Sequence, residues 1–255
     1  MKGWTAIVLA GSRPGPDAFA AKYGTDLKAL IPVGGIPMVA RPVNALLISP
    51  HIIAVRVLSQ QPKRIAEALP SNSRLVVAPS GTTIASTLEA VLADPGTKFP
   101  LLVTTADHAL LSPSMIADFC RQAEGSDLAI GVAEKRALRA RLPGTKRTWL
   151  SFRGGSYSGA NLFAFGSPAA SKAVALWRSV EQDRKKGWRM IAALGPAVLA
   201  GAVLKLRTLD QTLASVGKRM ELDIRKVELA DPLAAVDVDK PADHALATAI
   251  LEGRA

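Results

Sequence analysis

Five short apolar runs, each followed by a longer amphipathic stretch, dominate the first half of this 255-residue chain. They are TAIVLAG (Thr5–Gly11), AVRVLSQ (Ala54–Gln60), RLVVAPS (Arg74–Ser80), PLLVTTAD (Pro100–Asp107) and DLAIGVAE (Asp127–Glu134). Such runs are too short for helices and too nearly continuous for strands with one wet face, so they read as buried parallel strands. Between them, Pro37–Leu47, Lys63–Leu69, Thr83–Leu92 and Ser114–Ala123 carry apolar residues at helical spacing. Strands separated by helices form right-handed crossovers. The expected fold is therefore α/β: a three-layer, Rossmann-like, mostly parallel sheet with helices on both faces.

Beyond Glu134 the alternation breaks. Arg136–Arg153 is basic, with Pro143-Gly144 marking a loop, and Asn161–Phe165 reads as a strand. Ala169–Val180, Trp188–Leu204 and Leu209–Lys218 follow as helical patterns, then a short strand at Lys226–Ala230 and a helix at Pro241–Gly253. Neither a repeat nor a long Gly/Ser linker divides the chain. The simplest organisation is one domain over 1–255 with a basic helical insert at about 167–225. A single cysteine, Cys120, excludes an internal disulfide framework and any cysteine-cluster zinc site. The opening MKGWTAIVLAGSRPG has too short an apolar run for a signal peptide, so a cytoplasmic location is expected.

The formal charge of +11 is unevenly placed. From Glu134 to Lys226 there are 19 Lys/Arg against 6 Asp/Glu, and elsewhere 13 against 15. Within the basic part, Arg184-Lys185-Lys186-Gly187-Trp188-Arg189 precedes fifteen uncharged residues, Met190–Leu204. That stretch, broken by Gly195-Pro196, is too short to span a membrane. It reads as a buried core or homodimer helix, or as an interfacial helix lying on the inner face of a membrane. A nucleic-acid partner is not expected, because stacking aromatics do not alternate with the cations.

Three places carry candidate chemistry. At the end of the first run, Gly11-Ser12-Arg13 and the later Lys28 offer backbone N–H groups and two cations, suited to phosphates but equally to an ordinary βα turn. Asp107 ends the fourth run, where open α/β sheets bind ligands, and a short hard carboxylate suits Mg²⁺; a loop or capping Asp is the plainer reading. His108 beside it reads as a loop histidine rather than a base or ligand. In AAVDVDKPADHALA, Asp237 and Asp239 alternate with apolar residues and so face one side, while Asp243 reads as an acid in the first turn of the last helix.

Together these residues resemble the MobA-like nucleotidyltransferases, a group with the GT-A-type fold that includes molybdenum-cofactor guanylyltransferase, CMP-sugar synthetases and isoprenoid cytidylyltransferases. The opening LAGSR with Lys28 and GG-x-PM is similar to the family's nucleotide loop, and TTADHALLSP to its metal-binding Asp segment. VDVDKPADHALA resembles its closing carboxylate element, and APSGTTIASTLEAVL the segment that reads the base. SGANLFAF resembles the strand that meets the acceptor. The likeness covers the first 130 residues and the last 30 best.

The resemblance implies catalytic roles for Arg13, Lys28 and Asp107, and a Mg²⁺ site at Asp107 and Asp239. It implies nucleotide contacts at Leu9, Ala10, Gly11, Ser12, Gly81, Thr82 and Ser86, and acceptor contacts at Gly159 and Asn161. The implied reaction is NTP + R–phosphate → NDP–R + pyrophosphate, with CTP or GTP as donor and a phosphorylated sugar, alcohol, lipid headgroup or cofactor as acceptor. Two rivals remain at this stage. One is a GT-A-like glycosyltransferase using Asp237-Val238-Asp239 as a D-x-D motif. The other is a non-catalytic nucleotide-binding or membrane-surface protein.

Overall fold

The computed structural model describes residues 3–12, 15–181 and 206–255. Ten strands lie along the described residues. Five of them match the apolar runs closely: β1 (Trp4–Leu9), β4 (Ile52–Ser59), β5 (Leu75–Pro79), β6 (Leu101–Thr105) and β7 (Leu128–Glu134). A small hairpin, β2 (Pro32–Val33) and β3 (Ile36–Pro37), precedes β4. Later come β8 (Leu150–Phe152), β9 (Gly155–Phe165) and β10 (Ile224–Glu228). The helices are α1 (Ala18–Ala21), α2 (Ala40–Ile48), α3 (Pro62–Glu67), α4 (Ile84–Ala93), α5 (Pro113–Ala123), α6 (Lys135–Arg141), α7 (Ser171–Glu181), α8 (Leu209–Met220) and α9 (Pro241–Leu251). The expected helix Trp188–Leu204 and the cations at 184–189 lie outside the described residues.

The main sheet runs β10-β7-β9-β6-β1-β4-β5, with β8 added beside β9. Pairing is parallel except where β9 lies antiparallel between β6 and β7, and where β8 pairs with it. Alternating residues feed opposite faces, as the two-residue strand period requires. Ala6 and Val8 of β1 join Leu102 of β6 against Val43 and Leu46 of α2 and Ile116 and Phe119 of α5. Ile7, Leu101 and Val103 face the other way, against Leu88 and Val91 of α4 and Val174 of α7. Burying each such aliphatic side chain contributes roughly 1.5–3 kcal/mol, which explains why β1 tolerates no polar alternation.

Two departures from the sequence reading stand out. Strand β9 starts at Gly155, six residues before the expected Asn161, because its first half (Gly-Ser-Tyr-Ser-Gly) lacks the apolar alternation that marks a strand. Its pairing with β7 shifts register between Ile130 and Val132. At that bulge Asn161 adopts the left-handed region (φ +48°), and Gly131 sits opposite, where a Cβ would come within 3.0 Å of Leu162 Cβ. The second departure is α6, a helix in the basic stretch for which no element was assigned, ending just before the expected loop at Pro143-Gly144. Glu134 caps it by accepting from the Arg136 and Ala137 N–H groups, and Leu138 is its one fully buried side chain.

Candidate functional site

From β1 the chain builds outward through β4 and β5, then returns to place β6 on the other side of β1. The loops leaving the carboxyl ends of β1 and β6 therefore diverge, and a crevice opens between them. A cleft of about 1030 Å³ lies there, lined among others by Ser12, Lys28, Gln60, Thr82, Asp107 and Asp239.

On one wall, a single amide ties two loops. Gln60, the first residue past β4, accepts the Ser12 N–H at 2.9 Å and donates to the Gly81 carbonyl at 3.1 Å. Gly81 N–H donates to Thr87 Oγ1 at 3.0 Å. A Cβ at Gly81 would lie 2.5 Å from Ser86 Oγ and 3.1 Å from the Thr87 nitrogen, so the close approach of loop and helix requires glycine. Thr83 and Ser86 form a reciprocal capping box that starts α4. Ser86 is thus engaged within the helix start, while Leu9, Gly11, Ser12 and Thr82 line the cleft; Ala10 is buried behind it. Arg13 lies outside the described residues.

The charged end comes from three distant stretches. Lys28 opens a single 3-10 turn, Lys28–Leu30, ahead of the β2–β3 hairpin. Its ammonium donates to Asp107 Oδ2 at 2.6 Å and to Asp239 Oδ1 at 2.5 Å. Thr105 Oγ1 donates to the other Asp107 oxygen at 2.5 Å. The Val238 N–H donates to the Asp107 carbonyl at 3.0 Å, and this bond lays the extended segment before α9 against the β6 loop. Burial pulls the Lys28 ammonium down, but the charges and hydrogen bonds of Asp107 and Asp239 outweigh it and hold its pKa above the usual lysine value.

Asp237 and Asp239 do alternate with buried Val238, as expected, but they have different partners. Asp237 pairs with the Arg147 guanidinium and accepts from Asn161 Nδ2 at 3.3 Å. Burial raises the Asp237 pKa; Arg147 opposes this, while Asp239 and Asp107 reinforce it. Asp237 thus points its carboxylate at Arg147 and Asn161, whereas Asp239 shares the Lys28 ammonium with Asp107. Asp243, expected to be a simple first-turn acid, reaches back to accept the Asp239 N–H at 3.3 Å. Gly159 is exposed on β9, and neither it nor Asn161 lines the cleft.

His108 proves to be a core residue. It is fully buried with Nδ1 3.2 Å from the Thr104 hydroxyl, and burial drives its pKa down to about 4, so it is neutral at pH 7 and no cleft base. Gln60, Thr105 and Arg147 escaped the sequence reading. Gln60 had a usable signal: it ends a parallel strand, as Gly11 and Asp107 do. Arg147 had none, being one cation among many in an irregular stretch.

Among the described residues no cluster of three or more His, Cys, Asp or Glu could hold a metal by itself. Asp107 and Asp239, already flanking a cation, nevertheless fit Mg²⁺, which takes one or two carboxylates and completes its shell with water and phosphate oxygens. Nor, among the described residues, is any helix long and apolar enough to cross a membrane.

The family profile for the MobA-like NTP transferase domain matches residues 6–223. A hypothetical transferase from Thermus thermophilus is 27% identical and superposes with a TM-score of 0.80 over 96% of this chain and 100% of its own. 4-Diphosphocytidyl-2C-methyl-D-erythritol synthase from Anaerococcus prevotii shares the fold at 12% identity, with a TM-score of 0.60 over 98% of this chain and 96% of its own. CMP:2-keto-3-deoxy-manno-octonic acid synthetase, solved with CTP, shares it at 15% identity and a TM-score of 0.59, covering 100% of both chains. No curated protein matches the chain in sequence.

Proposed function

Because the chain belongs to the MobA-like NTP transferase family, we propose that it is a nucleotidyltransferase moving NMP from CTP or GTP onto the phosphate of a small acceptor, with release of pyrophosphate. The observation that carries this reading is the placement of Asp107 and Asp239 on either side of the Lys28 ammonium, at the switch point of the sheet.

In this reading the wall made by Gly11, Ser12 and Thr82, braced by Gln60, receives the nucleotide. Asp107 and Asp239 would hold Mg²⁺, which when bound neutralises charge on the phosphates and orients them. Lys28 leaves its carboxylates to stabilise the departing pyrophosphate, and Arg13 would add to that charge. The nucleophile is a phosphate oxygen, already ionised at pH 7. No general base is required, in keeping with a neutral His108 buried away from the cleft. Catalysis is then positioning and charge neutralisation. The acceptor enters from the side of Gly159 and Asn161, and the basic part of the chain from Glu134 to Lys226 favours an anionic acceptor.

A thermal-shift panel of the four NTPs with Mg²⁺ tests the nucleotide site, since a ligand that binds only the native state stabilises it by mass action. One NTP is expected to raise Tm, and Asp107→Ala and Asp239→Ala to abolish that rise; an unchanged rise in both refutes the site. Pyrophosphate release on adding phosphorylated acceptors tests the reaction. Co-sedimentation with anionic vesicles tests the membrane-facing role of residues 184–207, and free protein in the supernatant excludes it.

A further inference from the structure

Arg147 lies in the loop between α6 and β8, 90 positions from Asp237, yet its side chain is only 10% exposed. Its guanidinium pairs with the Asp237 carboxylate, donates to the Asp237 carbonyl at 3.3 Å and reaches Asp243 Oδ1 at 3.5 Å. From another side Asn161 Nδ2 donates to Asp237 Oδ2 at 3.3 Å. Asp243 in turn accepts the Asp239 N–H. The contacts form a closed chain that grips the extended segment on both sides of Val238.

This grip is costly. Burying a guanidinium is unfavourable unless its partners are well placed, and swapping such a pair for apolar groups is often neutral for stability. Asn161 holds a left-handed conformation at the β9 bulge, one that asparagine adopts more readily than other non-glycine residues, and from there its amide reaches Asp237. What the grip secures is Asp239, whose carboxylate is 62% exposed and whose segment is neither helix nor strand.

We infer that Arg147 and Asn161 are positioning residues: by clamping Asp237 they fix the segment that presents Asp239 to Asp107, and so set the spacing of the two carboxylates for a divalent cation. The inference rests on the proposed metal site. Neither residue touches the cation or the nucleotide; both act through Asp237. Mutating residues that hold a metal-binding carboxylate in place typically costs roughly 10–100-fold in metal affinity.

The test is Mn²⁺ binding followed by electron paramagnetic resonance, with inorganic tripolyphosphate in place of a nucleotide. Wild type is expected to bind and Asp239→Ala to lose binding. Arg147→Met should weaken Mn²⁺ roughly 10–100-fold. Arg147→Lys should fail to restore it, because a single nitrogen cannot reproduce the guanidinium fork, whose Nη1 meets Asp237 Oδ1 while its Nη2 meets the Asp237 carbonyl and Asp243. Asn161→Gly suits the left-handed backbone and deletes only the amide, so it keeps the test open if Arg147→Met does not fold; it should weaken Mn²⁺ several-fold. A purely structural role would lower Tm while leaving Mn²⁺ affinity intact well below it. Affinities within about twofold of wild type in Asn161→Gly and the folded Arg147 variants overturn the inference alone. A wild type that binds no Mn²⁺, or an unaffected Asp239→Ala, overturns the metal site and the inference with it.

Discussion

Replacing Lys28 by Met deletes the cation between Asp107 and Asp239 while keeping most of the aliphatic stem. Because one nitrogen touches both carboxylates, at 2.6 and 2.5 Å, the two contacting oxygens lie no more than about 5 Å apart. Two unit charges at that distance repel by roughly 1–3 kcal/mol for effective dielectric constants of about 80 down to 20. Asp239 is 62% exposed, so screening takes the cost to the lower end, about 1–2 kcal/mol. For a chain of this length that lowers Tm by a few degrees. The sign with pH follows from the raised Lys28 pKa. Its stabilisation is fully present below the unfolded-state value of about 10.5 and fades as pH rises through the higher native value. The gap between wild type and Lys28→Met should therefore be flat from about pH 6 to 9 and close in strong alkali. The assay is thermal unfolding with and without millimolar Mg²⁺ and no nucleotide. The variant's carboxylates have lost their internal counter-ion, so Mg²⁺ alone should raise its Tm more than that of wild type. Equal Tm values without Mg²⁺, or equal Mg²⁺ responses, would refute the reasoning.

Other positions give separate checks. Gln60→Ala unties Ser12 from Gly81 and should weaken NTP binding several-fold in a thermal-shift titration, with a loss of stability near 1 kcal/mol. Gly81→Ala drives a Cβ into Ser86 Oγ and the Thr87 backbone; a cost of roughly 1–3 kcal/mol is expected by chemical denaturation, partly recovered by adding Ser86→Ala. Asp127 accepts from Asp223 N–H and Ser167 Oγ, each at 2.9 Å, and these bonds depress its pKa. Its contribution is present above the ordinary aspartate pKa and lost as pH falls through the lower native value, so the deficit of Asp127→Asn should be seen at pH 6 and vanish in strong acid.

The parallel half of the fold was legible because its inner strands, β1 and β6 above all, are buried on both faces, which forces an apolar run. Strand β9 was half hidden for the opposite reason: its Gly- and Ser-rich start carries no apolar alternation, and its backbone pairing leaves no mark on composition. The site divides in the same way. Gly11, Lys28, Asp107 and Asp239 fall at strand ends or in patterned segments and were readable. Which partner each carboxylate takes was not, since Asp237 and Asp239 look alike in sequence and are separated only by the Arg147 loop docking against the former. Asp243 was read as a first-turn acid and is one; its added role as acceptor for the Asp239 N–H leaves no separate mark in the sequence.

The bond from Val238 N–H to the Asp107 carbonyl joins chain segments more than a hundred residues apart. Side-chain contacts from Lys28 and Arg147 reinforce it, but no regular ladder does, so the final segment can open when those contacts break without the sheet unfolding. The Val238 amide is therefore a built-in clock for the integrity of the charged end. Its hydrogen-exchange rate should report opening of the carboxylate pair, independently of the β1 and β6 amides, which exchange only when the sheet itself comes apart.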